Sequence, residues 1–218
     1  MIALDAAAFS RRLTRWFNAG HREMPWRATR DPYAIWVSEI MLQQTRVDTV
    51  RAYYSEFLRR FPSVEALAEA TEDAVLGAWS GLGYYRRARL LHAGAQDVMA
   101  RFGGVLPADL AALRSIPGIG PYTAGAIAAI AFDLPAPVVD GNVARVLSRV
   151  RAVRQERAQA ATARHHWETA EEVISKGSPR ILAQAMMELG ATVCVPVKPA
   201  CGECPVRPIC EAFRRDLV

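Results

Sequence analysis

Four cysteines, Cys194, Cys201, Cys204 and Cys210, close a chain of 218 residues in the spacing C-x6-C-x2-C-x5-C, and the chain has no others. A disulfide framework scatters its cysteines to staple distant elements, whereas thiols crowded into one loop converge on a single centre. The terminal segment is therefore expected to wrap round that centre. Zinc sites favour paired C-x2-C knuckles, and only Cys201 and Cys204 form one. The widening gaps fit better round a cubane, with each thiolate on a different iron, so a [4Fe-4S] cluster is expected and zinc is the alternative.

Upstream, apolar residues recur at helical spacing and no stretch alternates between hairpin turns, which makes the chain all-α. Helices are expected near 5–19, 34–45, 47–61, 64–69, 72–79, 84–101, 109–114, 122–132, 141–152, 160–175 and 179–190. Prolines such as Pro25, Pro32, Pro107, Pro117, Pro135 and Pro179 are expected between these segments. No stretch spans a membrane, and the N-terminus lacks a basic start and apolar run, so a cytoplasmic, nucleoid-associated protein is expected. The net charge of +5 permits a polyanionic partner. Between Gly141 and Arg164 stand Arg145, Arg149, Arg151, Arg154, Arg157 and Arg164 against Glu156 alone, which reads as a phosphate-facing surface or a solvated helix face.

Three short segments carry candidate chemistry. Pro117-Gly118-Ile119-Gly120 joins two helices, and Gly118 and Gly120 allow a tight turn whose N–H groups, with the next helix N-terminus, can grip a phosphate. Such a turn resembles the helix-hairpin-helix of DNA-binding proteins. Asp140, in Val138-Val139-Asp140-Gly141-Asn142, is placed to cap a helix and also to present a carboxylate at the edge of the core. Glu39 sits among Val37, Ile40 and Met41, and burial there would raise its pKa toward acid catalysis.

In this order, the hairpin, the Pro-rich link, Val-Asp-Gly-Asn and the cysteine loop resemble the iron-sulfur branch of the helix-hairpin-helix DNA glycosylases, which includes endonuclease III and the MutY adenine glycosylases. The resemblance implies two lobes: residues 21–133 with the hairpin, and 1–20 plus 134–218 with Asp140 and the cluster loop at 194–210. It implies a monomeric enzyme of base excision repair acting on double-stranded DNA that contains a mispaired or damaged base. Endonuclease III carries a nucleophilic lysine in the hairpin's second helix, where this chain has Tyr122. Its only two lysines, Lys176 and Lys198, lie elsewhere, so monofunctional hydrolysis is implied.

By the same resemblance Glu39 protonates adenine, Asp140 stabilises the sugar cation, and Tyr122 and Asn142 orient them. Trp26 and Arg27 match a Pro-Trp-Arg that lines the adenine pocket, with packing the alternative for Trp26. Gln44 and Tyr84 match residues that wedge into the base stack, with Leu42 and Gln43 beside them, whereas Trp79 and Tyr85 are expected in the core. Arg22 and Glu188 join the substrate- and DNA-binding set, and Lys198 and Arg207 are candidate phosphate contacts on the cluster loop. Two departures stand out. The chain stops soon after Cys210, where MutY enzymes continue into an 8-oxoguanine-reading domain, so it is expected to be a catalytic fragment or a single-domain enzyme. Leu182-Ala183-Gln184 replaces a common Phe-Asn. The expected substrate is adenine opposite 8-oxoguanine or guanine; a thymine or uracil mismatch glycosylase and an inactive iron-sulfur DNA-binding protein are the alternatives.

Overall fold

A computed structural model describes residues 4–153 and 160–218. Among the described residues all regular structure is helical: α1 Ala6–Ala19, α2 Pro32–Leu42, α3 Val47–Arg60, α4 Val64–Ala68, α5 Glu72–Trp79, α6 Arg86–Phe102, α7 Leu110–Arg114, α8 Pro121–Phe132, α9 Gly141–Val150, α10 Ala160–Ile174, α11 Pro179–Thr192 and α12 Glu211–Arg214. Local chemistry starts most of them. Asp5, Asp31, Ser63, Thr71, Asp109, Asp140 and Ser178 each accept a first-turn backbone N–H of the helix that follows, satisfying one of the donors a helix start leaves open. No described helix is long and apolar enough to cross a membrane.

The chain forms two compact units, Glu23–Phe132 and the pair of segments Met1–Arg22 and Asp133–Val218. In the first, α2 has no solvent stripe, since every residue from Tyr33 to Met41 is buried. It packs on α3, α6 and α8, while α4 and α5 cover α6 and α7 packs on α8. Gly94 lets α6 come this close: a Cβ there would lie 2.7 Å from the Pro117 carbonyl and 2.8 Å from the Trp36 ring. In the second unit, α1 buries Phe9, Leu13 and Phe17 and packs on α10 and α11. Ser10 Oγ lies 2.9 Å from the Val173 carbonyl and ties α1 to α10. The other faces of α10 and α11 carry α9, which also packs on α12.

Several expected boundaries shift. The helix expected over 34–45 runs instead from Pro32 to Leu42, and Gln44 adopts a left-handed φ of 55°. The helix expected from 84 begins at Arg86, because Tyr84 is also left-handed, at φ 50°. Pro32 and Pro179 open helices rather than separating them, since the first turn has no use for the missing N–H. The helix expected to end at 152 stops at Val150, and α12 was not expected. Trp79 is fully buried, but Tyr85 is 40% exposed, not a core residue.

Two glycine substitutions should separate these effects in chemical denaturation. Gly94→Ala forces a methyl against a backbone carbonyl and a buried indole, and should destabilise by about 1–3 kcal/mol. Gly77→Ala, at an exposed position of α5 with nothing within 4 Å of the new methyl, should instead stabilise by up to about 1 kcal/mol.

Candidate active site and cysteine cavity

The centre of the Glu23–Phe132 unit is a carboxylate on a helix with no wet face. Glu39 is 4% exposed, and a buried carboxylate needs hydrogen-bond partners to be tolerated. The Tyr122 hydroxyl donates to its Oε2 at 2.7 Å. Tyr122 reaches it from the first turn of α8, which the 117–120 turn positions. That turn is seated by Ile116 and Ile119, both buried, and by the Ile119 amide on the Ile116 carbonyl at 3.1 Å. Gly118 takes φ 81°, and a Cβ would press on Leu90. Gly120 is different from what its motif suggests: it has no positive φ and open space around it, and its carbonyl takes the Ala124 amide at 2.9 Å.

The other residues singled out in this unit divide by exposure. Gln44 is exposed and Tyr84 is 64% exposed, both with left-handed backbones. Leu42 and Gln43 are half-buried, and the Gln43 amide reaches Thr123 Oγ1 at 3.5 Å. Trp26 is buried and packs edge-on against Tyr54, with ring centres 5.4 Å apart, while Arg27 beside it is half-buried. Arg51 holds this stretch by donating to the Glu23 carbonyl at 2.8 Å.

In the other unit, Asp140 is half-buried and caps α9, with Oδ1 accepting from the Val143 amide at 2.7 Å and Oδ2 from Asn142 Nδ2 at 3.1 Å. Asn142 Oδ1 in turn accepts from Arg145 Nη2 at 2.8 Å, and the same guanidinium reaches the Gly190 carbonyl at 2.7 Å and the Cys194 carbonyl at 2.8 Å. A bonded chain thus runs from Asp140 to the first cysteine. Its position among the arginines of 141–164 predicts a phosphate-facing residue, but Arg145 is 7% exposed and its donors point inward. Arg149 likewise turns to the carbonyls of Val195 and Pro196, and Arg151 to Thr169. That basic surface is corrected accordingly: Arg164 is exposed, and Arg154 and Arg157 lie outside the described residues. The only signal of this in the sequence is the apolar company of Arg145, between Ala144 and Val146.

Arg22 grips Glu188 with Nε and Nη2 at 2.8 and 2.7 Å, joining the end of the N-terminal segment to α11. Gln184 is buried, and its amide returns to the Arg180 carbonyl at 3.0 Å. Lys198 and Arg207 are exposed on the cysteine loop, and the Arg207 guanidinium lies over the Phe213 ring.

Cys194, Cys201, Cys204 and Cys210 all line one cavity whose other walls include Val146, Val150, Leu189, Val193 and Val206. Among the described residues no three His, Cys, Asp or Glu side chains form a group that could hold a metal ion as they stand. Burial pushes the Cys204 thiol up to about 11 and also raises that of Cys210. Opposing this, backbone amides bond to the sulfurs, Val206 to Cys204 and Phe213 and Ala212 to Cys210. Arg149 Nη1 stands 3.4 Å from Cys194 Sγ.

Residues 37–172 match the family model for the HhH-GPD superfamily base excision DNA repair proteins. The chain is 45% identical over 220 residues to the adenine DNA glycosylase of Rattus norvegicus, covering 97% of this chain and 43% of that protein. It is 36% identical to the adenine DNA glycosylase of Buchnera aphidicola, covering 96% of this chain and 60% of that one. The chain therefore spans less than two thirds of the length of these relatives. Among solved structures, a thermostable thymine-DNA glycosylase superposes with a TM-score of 0.87 at 28% identity, covering 96% of this chain and 97% of that one. An endonuclease III–DNA complex superposes with a TM-score of 0.81 at 20% identity, over all of this chain and 99% of that one, which speaks to the fold alone. With the helical architecture and the hairpin already in place, the match over 37–172 assigns the chain to a family: it belongs to the HhH-GPD superfamily of base excision DNA repair proteins.

Proposed function

We propose that the chain is a monofunctional DNA glycosylase that hydrolyses the N-glycosidic bond of adenine mispaired with 8-oxoguanine or guanine, working as a monomer on nucleoid DNA. The observation that carries this reading is the buried Glu39 carboxylate with the Tyr122 hydroxyl 2.7 Å from its Oε2. A helix without a solvent face keeps an acidic side chain only where that group has a task or a partner, and here it has a partner that orients it. Support for adenine as the base comes from the adenine DNA glycosylases among the relatives. The hairpin helix offers no amine nucleophile, and the chain's two lysines lie outside it.

In the proposed reaction, protonated Glu39 gives its proton to N7 of the extruded adenine, so that the C1′–N9 bond breaks and the base leaves neutral. The sugar is left with oxocarbenium character, which the Asp140 carboxylate stabilises electrostatically or through a transient bond. Water adds at C1′, its proton returns to Glu39, and an abasic site remains. Asn142, hydrogen-bonded to Asp140, fixes the carboxylate's orientation. Gln44 and Tyr84 fill the gap in the stack.

The four cysteines are proposed to hold a [4Fe-4S] cluster. The donor set fits: four thiols round one cavity, apolar walls, and amide and guanidinium donors directed at the sulfurs. When bound, a fully thiolate-ligated cluster offers no open position to a substrate and acts as a brace, so bond breaking stays with the carboxylates. A second reading, release of thymine or uracil from mismatches with guanine, draws on the likeness to the thymine-DNA glycosylase.

A duplex panel with adenine, thymine or uracil opposite guanine or 8-oxoguanine, treated with alkali to reveal abasic sites, should show release of adenine. Release of a pyrimidine alone would favour the second reading, and no release from any duplex would sink both. Glu39→Gln should lower single-turnover excision by about 10²–10⁴-fold with duplex binding retained. Asp140→Asn keeps the helix cap, since Asn caps as well as Asp, and should therefore lose excision while circular dichroism is unchanged. The purified protein should be coloured and contain iron and acid-labile sulfide; a colourless protein with stoichiometric zinc would refute the cluster.

A further inference from the structure

Arg87, in the first turn of α6, is 9% exposed and faces no carboxylate in the hydrogen bonds it makes. Its Nη1 donates to the carbonyls of Ile40 at 3.0 Å and Met41 at 2.9 Å and, by a short bond, to that of Gln43. Its Nη2 donates to Thr45 Oγ1 at 3.0 Å and to the carbonyls of Leu82 and Gly83, each at 3.1 Å. The guanidinium carbon also lies 5.4 Å from the Trp79 ring centre and 5.6 Å from that of Tyr84. One cation thus caps the C-terminal end of α2, where carbonyls lack helical partners and favour positive charge. It also fastens the loop after α2 to the loop before α6.

Each of these loops holds a non-glycine residue in the left-handed region, Gln44 at φ 55° and Tyr84 at φ 50°. Such backbones persist only where their surroundings over-determine them, and they gather at functional positions. Both side chains are exposed, whereas Arg87 holds the chain on either side of them, at the Gln43 and Gly83 carbonyls and at Thr45 Oγ1. We propose that Arg87 is a positioning residue that clamps residues 43–45 to residues 82–84, so that Gln44 and Tyr84 meet the duplex as a pre-shaped wedge. The proposal rests on the glycosylase reading for the wedge's purpose, while the clamp itself stands on geometry. Lysine cannot replace it. An ammonium has three donors radiating from one point and cannot serve carbonyls on two loops at once.

The test uses the full chain with its metal centre and compares wild type, Arg87→Lys and Thr45→Val, the last removing one acceptor of the clamp without disturbing the core. Amide hydrogen exchange should rise in Arg87→Lys at 43–45 and 82–85 and stay near wild type in α8, with Thr45→Val showing a smaller rise at the same places. On a mispaired duplex, Arg87→Lys should excise about tenfold more slowly, and on adenine in an unpaired bulge within about twofold of wild type, because the bulge is already partly unstacked. Fluorescence of 2-aminopurine at the target position should rise less on binding to the variant. In a Tyr84→Ala background, Arg87→Lys should add little further loss, since residues acting through one element are not additive. Equal losses on both substrates, full additivity with Tyr84→Ala, or unchanged loop exchange would overturn the proposal. If wild type releases no base, the glycosylase reading falls, and the exchange measurement still decides the clamp.

Discussion

The Glu23–Phe132 unit is organised round the burial of Glu39. With every residue from Tyr33 to Met41 out of solvent, α2 has no face on which a carboxylate could be hydrated. A polar group in that position destabilises the fold unless a neighbour supplies hydrogen bonds. The neighbour is Tyr122, and the requirement propagates. Tyr122 must lie in the first turn of α8, α8 must begin beside α2, and the 117–120 turn must be tight enough to bring it there. Gly118 in its left-handed conformation forms that turn, and the close approach at Gly94 lets α6 lie against both the Pro117 carbonyl and the Trp36 ring. The turn that resembles a phosphate grip is also, by position, what delivers the hydroxyl.

The Asp140 unit solves a related problem by different means. Here the carboxylate is a helix cap, half-buried, with one oxygen on the Val143 amide and the other on Asn142. What is deeply buried is the cation behind it. Arg145 joins Asn142, the end of α11 and the Cys194 carbonyl, so the capping carboxylate and the cysteine loop share one rigid network. Gly190 is part of this fit, since a Cβ there would lie 2.6 Å from Asn142 Cβ. Holding a carboxylate through a network anchored on backbone carbonyls fixes its direction without placing a neutralising charge directly on it.

Much of the helical framework was legible because helix starts are encoded locally. Asp31, Ser63, Thr71, Asp109, Asp140 and Ser178 each bond a backbone amide two or three residues on, and the apolar period continues from there. Helix ends were harder. Gln43, Gln44 and Thr45 have ordinary helical propensity, and what ends α2 there is Arg87, more than forty residues downstream, capturing carbonyls that another turn of helix would have used. The burial of Glu39 was readable from Val37, Ile40 and Met41, its immediate neighbours. The burial of Arg145 was signalled only by its apolar neighbours Ala144 and Val146, because the carbonyls that enclose it, those of Gly190 and Cys194, lie far away in sequence. Tyr85 was misjudged for the opposite reason: an aromatic next to a turn looks like core until the left-handed residue before it turns it outward.

Arg87 and Arg145 point to one preference of this chain. Of its 27 basic residues only two are lysines. Each of these buried arginines takes several carbonyl acceptors from segments that no regular hydrogen-bond ladder connects. A guanidinium does this well: it is planar, it stays charged when desolvated, and its five N–H groups point in fixed directions. Burial lowers the Arg87 pKa, yet arginine begins so high that the charge survives. A lysine in the same place could escape by losing its proton, and the carbonyls would then lose their donors. In an all-helical protein whose candidate chemistry sits on loops and helix ends, rigid cations of this kind supply the cross-links that strands would otherwise provide.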